Sequence, residues 1–158
     1  MRAHKFSLVW LGESTKDLSE LRSKYIGSER VGNNKNDLFP PGLEAVIRKL
    51  SERDKSKAAI LAKYFAEMRL VLTEMHRVLR RDAAAIIIVG TSVMRDIDVE
   101  THQCLVDMAA TLDFDVVGVA KRVLDRNKRM MPARFGRRSD SMIEQRMHDE
   151  YVIGLLKP

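Results

Sequence analysis

Between Lys57 and Arg80 no glycine or proline breaks the chain. Its apolar residues Leu61, Tyr64, Phe65, Met68, Leu72, Met75 and Leu79 recur at steps of 3, 1, 3, 4, 3 and 4, the spacing of one helical face. Arg77, Arg80 and Arg81 gather at its end, where cations suit the carbonyl pole of a helix. Directly after it, Ala83 to Val89 reads Ala-Ala-Ala-Ile-Ile-Ile-Val. That run is too short for a free-standing helix and is β-branched at its end. It predicts a strand buried on both faces, of the kind found in parallel α/β sheets. A long helix feeding straight into a buried strand places the chain in the α/β class. Its 158 residues make a single domain, 1–158. Within it, 1–56 reads as a helical and loop segment ahead of an α/β core over 57–158.

The remaining pattern fills in around that core. Phe6, Val9 and Trp10 predict a short helix over 4–11, closed by Gly12. Asp17 to Tyr25 predicts a second helix, and the Gly- and Asn-rich run 27–37 a loop. Leu43, Val46, Ile47 and Leu50 mark another helix after Phe39-Pro40-Pro41-Gly42. Beyond the strand, Gly90-Thr91-Ser92 forms a turn, and Asp98 is placed to cap a helix with His102, Leu105, Val106, Ala109 and Leu112 on its buried stripe. Phe114 to Val123 predicts a second strand, with Phe114, Val116, Gly118 and Ala120 on one face and Val117 and Val119 on the other. Ser141 and Glu144 form a capping box for a short helix through His148, and Tyr151 to Leu156 is the last strand. Strand, helix, strand implies a right-handed crossover and a parallel pair. The last strand, lacking a full crossover helix, runs antiparallel between or beside the other two.

Several chemistries are excluded. One cysteine, Cys104, permits neither an internal disulfide nor a Cys-rich zinc site, and it falls off the apolar stripe as an inert thiol. His4, His76, His102 and His148 are not paired at metal-ligand spacing; His102 reads as a packing residue, His76 and His148 as surface ones. The glycines at 12, 27, 32, 42, 90, 118, 136 and 154 include no pair two residues apart, so no dinucleotide or P-loop cradle is written here. No apolar run approaches the ~20 residues of a membrane span. Nor does the start resemble a secretory leader, and a cytoplasmic location is expected.

The charge is localised. The whole chain carries +6. Between 121 and 138 lie Lys121, Arg122, Arg126, Lys128, Arg129, Arg134, Arg137 and Arg138 against Asp125 alone, eight bases and one acid, or +7. A basic cluster in a near-neutral body points to a polyanion, and Arg122, Arg126, Lys128, Arg129, Arg134, Arg137 and Arg138 are the candidate nucleic-acid contacts. Met130, Met131 and Pro132 add apolar atoms able to wedge against bases. Gly90, Thr91 and Ser92 stand where open α/β sheets place ligands, at the carboxyl end of a strand, and are the candidate rim of a site.

The order of these motifs resembles the second half of a class I S-adenosylmethionine-dependent methyltransferase. It is most similar to the DNA-modification enzymes that methylate exocyclic amino groups of adenine (N6) or cytosine (N4). The resemblance rests on Tyr64-Phe65-x-x-Met68, Leu72-Thr73-Glu74-x-x-Arg77-Val78-Leu79 and the strand into Val89-Gly90-Thr91-Ser92. It continues in Arg126 to Pro132, in Ile143-x-x-Arg146-Met147-x-x-Glu150-Tyr151-Val152 and in Leu155-x-Lys157-Pro158. Trp10-Leu11-Gly12 and Leu21-Arg22-x-x-Tyr25-Ile26-Gly27-Ser28-Glu29 resemble the segment after the catalytic loop.

The resemblance implies a partial Rossmann-like sheet of about three strands, the fifth, sixth and seventh of seven, with the last antiparallel. Helices precede it, one of them long. It implies S-adenosylmethionine as cofactor and DNA as partner. Two of the family's parts are absent from these residues: the Gly-rich cofactor loop and the Asp/Asn/Ser-Pro-Pro-aromatic tetrapeptide. Phe39-Pro40-Pro41-Gly42 has Phe and Gly where that tetrapeptide needs its acceptor and its aromatic. No catalytic, cofactor-binding or metal-ligating residue is therefore assigned, and the chain alone is expected to be inactive and to hold the cofactor weakly. The chain then reads as a truncated frame, one chain of a split enzyme or a remnant. The alternative is a non-catalytic basic α/β module that binds nucleic acid. The edge of strand 84–89, left without a neighbour, is expected to pair with a complementing N-terminal methyltransferase chain or with itself.

Overall fold

The computed structural model describes residues 5–12, 14, 25–28, 39–124 and 149–158. The expected helix over 17–25 apart from Tyr25, most of the 27–37 loop, the 141–148 helix and its His148 lie outside them, as does His4. The elements are α1 (Lys5–Trp10), α2 (Pro41–Arg53), α3 (Lys55–Val78), β1 (Ala83–Gly90), β2 (Val93–Met94), β3 (Ile97–Asp98), α4 (Thr101–Ala110), β4 (Asp115–Val123) and β5 (Asp149–Lys157).

Pro41 starts α2, where its missing N–H costs nothing and its fixed φ suits the first turn. Leu43 and Leu50 are fully buried against α3, which contributes Leu61, Phe65 and Leu72 to the same core. The face expected for α3 is the one it buries, with Tyr64, Met68, Met75 and Leu79 partly covered. The helix stops at Val78, because Leu79 turns extended at φ −65° and ψ 143°. Only Arg77 of the three arginines is therefore helical; Arg80 and Arg81 belong to the turn into β1. His76 is half-buried rather than a surface residue. Its ring meets Phe114 edge-on at 4.9 Å, and its buried Nε2 has no partner among the described residues.

Asp54 makes the corner between α2 and α3. Its Oδ1 accepts the Lys57 N–H at 3.0 Å, an N-cap that the apolar spacing does not signal. Its Oδ2 accepts Arg95 Nε at 2.9 Å and pairs with Nη2 at 2.8 Å. Both contacts hold the carboxyl below the usual carboxylate range, the Lys57 amide first and the Arg95 guanidinium second. A carboxyl depressed in the folded state contributes stability that is present above its unfolded pKa. That stability is lost as pH falls through the folded value. Asn caps helices as well as Asp does. Asp54→Asn should therefore lower the urea midpoint at pH 7, with the gap to the parent closing only as pH falls below the ordinary Asp range. Equal gaps above and below that range would show that the charge contributes nothing.

The sheet has the order β1–β5–β4, and both ladders are antiparallel. β1 and β4 point the same way, joined through α4, but they do not touch as a parallel pair. β5 occupies the slot between them and takes both ladders. β1 is also not buried on both faces. The helices cover the side that carries Ala85, Ile87 and Val89, while Ile86 and Ile88 are 67% and 58% exposed. β4 is exposed along its whole length. A bulge between Val116 and Gly118 breaks its alternation, so the expected sharing of faces fails at Val116 and Val117.

α4 also departs from expectation. Asp98 accepts the N–H of Glu100 at 3.0 Å and does not cap the helix. Glu100 takes the N-cap position in the left-handed region, φ 47° and ψ 48°. The buried stripe is Thr101, Cys104, Leu105, Met108 and Ala109, rotated from the expected one so that Cys104 is inside. Its Sγ donates to the Val99 carbonyl at 3.4 Å. Burial, then the charges of Asp107 and Glu100, push this thiol up to about 11, which keeps it protonated and inert at neutral pH.

Candidate functional site

A hollow of about 270 Å³ opens at the carboxyl end of β1. One wall is α3, through Ile60, Leu61 and Tyr64. The strand contributes Val89 and Gly90, and the following loop contributes Ser92 and Met94. Thr101, the first residue of α4 and the one buried polar side chain among the described residues, faces the same space.

Gly27 closes the hollow from the other side. Its φ is +70°, a conformation that favours glycine, and a Cβ placed there would come within 3.2 Å of Tyr64 Cδ2 and press on that ring. Its N–H donates to Glu67 Oε2 at 2.7 Å. Glu67 in turn pairs with Lys63 at 3.3 Å, and Lys63 donates to Ser28 Oγ. Segment 25–28 is thus tied to α3 by polar contacts on one turn of that helix. Burial raises the Tyr64 hydroxyl above its ordinary range, so it remains a neutral phenol.

Across the mouth lies the β2–β3 hairpin. Its two turn residues, Arg95 and Asp96, have φ of 51° and 59°, the left-handed pair of a tight hairpin usually filled by Asn-Gly. With Glu100 they make three left-handed non-glycine residues between 95 and 100. Such strain concentrates where a loop is held in one shape beside a site. Arg53 Nη1 donates to the Arg95 carbonyl at 2.6 Å, and Asp54 grips its guanidinium, so the hairpin is braced from the α2–α3 corner.

Of the candidate rim, Gly90 and Ser92 line the hollow. Thr91 turns to β5 instead, its N–H donating to the Asp149 carbonyl at 3.4 Å. Sequence reasoning passed over Gly27, Tyr64, Met94 and Thr101. Tyr64 carried a signal, since it interrupts an aliphatic stripe with a hydroxyl, but helical spacing reads it as core.

The basic window divides. Lys121 pairs with Asp149 at 2.8 Å, and Arg122 pairs with Glu150 across the β4–β5 ladder. The hydrogen bond and charge of Asp149 raise Lys121 further. Arg126, Lys128, Arg129, Arg134, Arg137 and Arg138 lie outside the described residues. His102 stacks flat on Tyr151 with ring centroids 3.6 Å apart, a contact between α4 and β5. Among the described residues no group of His, Cys, Asp and Glu is placed to hold a metal ion, and no helix is long and apolar enough to cross a membrane. No family model, curated protein or solved structure matches the chain.

Proposed function

We propose that this chain supplies the C-terminal half of a class I S-adenosylmethionine-dependent DNA methyltransferase acting on exocyclic amino groups. The single observation that carries the reading is the sheet. Two like-directed strands are joined through a helix, and the last strand is inserted antiparallel between them. The partial Rossmann-like sheet implied by the motif order ends with such an antiparallel strand. The hollow at the end of β1 adds support, because it brings Gly90 and Ser92 of the rim to Gly27, part of the segment that resembles the stretch after the catalytic loop.

The residues present do not fit the cofactor. S-adenosylmethionine carries a sulfonium, an ammonium and a carboxylate, yet among the described residues the lining of the hollow has no charged side chain. No step through the cofactor is assigned to this chain. Its own contribution is a rear wall, a rim of neutral hydroxyls and a basic stretch. The cofactor loop and the base-holding tetrapeptide come from polypeptide other than these 158 residues. The open edge of β1, which pairs with β5 on one side only among the described residues, offers the seam for it.

Tritiated methyl transfer to duplex DNA tests this. The purified chain should incorporate nothing, and adding a methyltransferase N-terminal chain that carries both missing motifs should restore incorporation. Incorporation by the chain alone would overturn the division of labour. DNA binding without transfer in either mixture would favour the second reading, a non-catalytic basic module, which the +7 window supports by itself.

Both readings place DNA on 121–138. Replacing Arg126, Lys128 and Arg129 together by Glu should weaken binding at least tenfold. It should also flatten the salt dependence by roughly 0.9 for each phosphate that is no longer neutralised. Arg122→Ala should cost less, because Glu150 already occupies that guanidinium. Unchanged binding after the triple reversal would remove the site.

A further inference from the structure

We infer that the face of the sheet left open among the described residues is a self-association surface on which a second copy of this chain packs, face to face, about a two-fold axis. This inference does not rest on the methyltransferase reading.

Residues directly opposite in antiparallel ladders share a face. The register therefore lays three rows across the side away from the helices: Ile88, Val152 and Ala120; Ile86, Gly154 and Gly118; Ala84, Leu156 and Asp115. The bulge throws Val117 onto the same side, 3.7 Å from where a Cβ on Gly154 would stand. Val117 is 71% exposed, and Ile86 and Ile88 are nearly as open. A monomer seldom leaves so continuous an apolar patch in water.

A two-fold axis lays the same apolar rows of each copy against the other, the reciprocal contact that an isologous interface requires. The charges suit the same partner. Arg122 and Glu150 at one end of the face neutralise each other, and Asp115 stands at the opposite end. The apolar middle therefore neither repels its own copy nor attracts a polyanion.

The area is that of a small interface. Three strands ~4.8 Å apart and nine residues of ~3.3 Å give an outline of roughly 400 Å² per copy. Side-chain relief brings the buried total for two copies to about 1,000 Å², the lower bound for a specific interface, where association is weak and concentration-dependent.

Sedimentation velocity from 1 to 300 µM, with Ile86→Lys and Val117→Lys beside the parent, tests the surface. Both positions are largely solvent-exposed, so circular dichroism and melting should match the parent. The expected result is a concentration-dependent dimer in the parent and monomers in both variants. A parent that stays monomeric at 300 µM would overturn the inference, as would variants that dimerise like the parent. Hydrogen exchange separates the other occupants. If the dimer protects the β1 amides that face away from β5, pairing is edge to edge and the face is not the interface. If the face is covered only when a methyltransferase N-terminal chain is added, the partner is that chain and the self-association is overturned.

Discussion

Phe65→Ala should be the most damaging single truncation in the molecule, removing about 3–5 kcal/mol of stability. Phe65 is fully buried at the centre of α3 and meets the Tyr64 ring edge-on at 5.0 Å. A large aromatic contributes both transfer free energy and packing, and its removal leaves a cavity that rigid helices cannot close. The loss weighs heavily here because the described helices cover only one face of the sheet. Leu43, Leu61, Leu72, Ile153 and Leu155 have no second layer to fall back on. Against a total of ~5–15 kcal/mol for a typical domain, the variant should approach unfolding. At 2–4 °C per kcal/mol its melting temperature should fall roughly 10–15 °C. Leu70→Ala is the matched control: it lies on the same helix, 68% exposed, and should stay within about 0.5 kcal/mol of the parent. A Phe65→Ala variant that denatures in urea within 1 kcal/mol of the parent would mean that the core lies elsewhere.

α3 was the most legible element because one physical cause decides it. Seven apolar residues at helical spacing, with nothing to break the backbone, leave a single face to bury, and that face is the one buried. β1 was legible as a strand but not in its surroundings. Consecutive apolar residues signal two-face burial only where both faces have a layer to meet, and Ile86 and Ile88 face none among the described residues. The insertion of β5 between β1 and β4 could be narrowed to two arrangements but not chosen, since strand order depends on contacts far apart in the chain. The stripe of α4 keeps Leu105 and Ala109 but takes in Thr101, Cys104 and Met108, because what packs on a helix from distant elements decides which face is buried.

The hollow was half legible. Gly90 and Ser92 follow from the rule that ligand sites gather at strand carboxyl ends. Gly27 and Thr101 do not, because their place in the wall is set by tertiary contacts, the Gly27–Glu67 hydrogen bond above all. The basic window was fully legible as charge. What composition could not show is that its first two members, Lys121 and Arg122, meet Asp149 and Glu150 of the neighbouring strand.

Lys157→Met should cost about 2 kcal/mol. The last carbonyls of a helix lack partners within it. At the end of α3, Lys157 Nζ donates to the His76 carbonyl at 2.7 Å and to the Leu79 carbonyl at 2.9 Å. Its positive charge also meets the negative pole of the helix. Hydrogen bonds from a charged group are worth about 1.5–3 kcal/mol each, but these are only partly buried, so water recovers some of the loss. Met keeps the apolar stem and removes the donors, which isolates the cap from packing. The melting temperature should fall by about 4–8 °C. Lys157→Arg, which keeps the charge at the pole, should recover part of it. The kinetics separate this contact from Phe65. Lys157 closes the helix only after β5 has entered between β1 and β4, across 81 residues of chain, so the contact should form late in folding. The Met variant should then unfold about 30-fold faster while refolding at nearly the parent rate. A slowed refolding limb would instead place the insertion of β5 before the rate-limiting step.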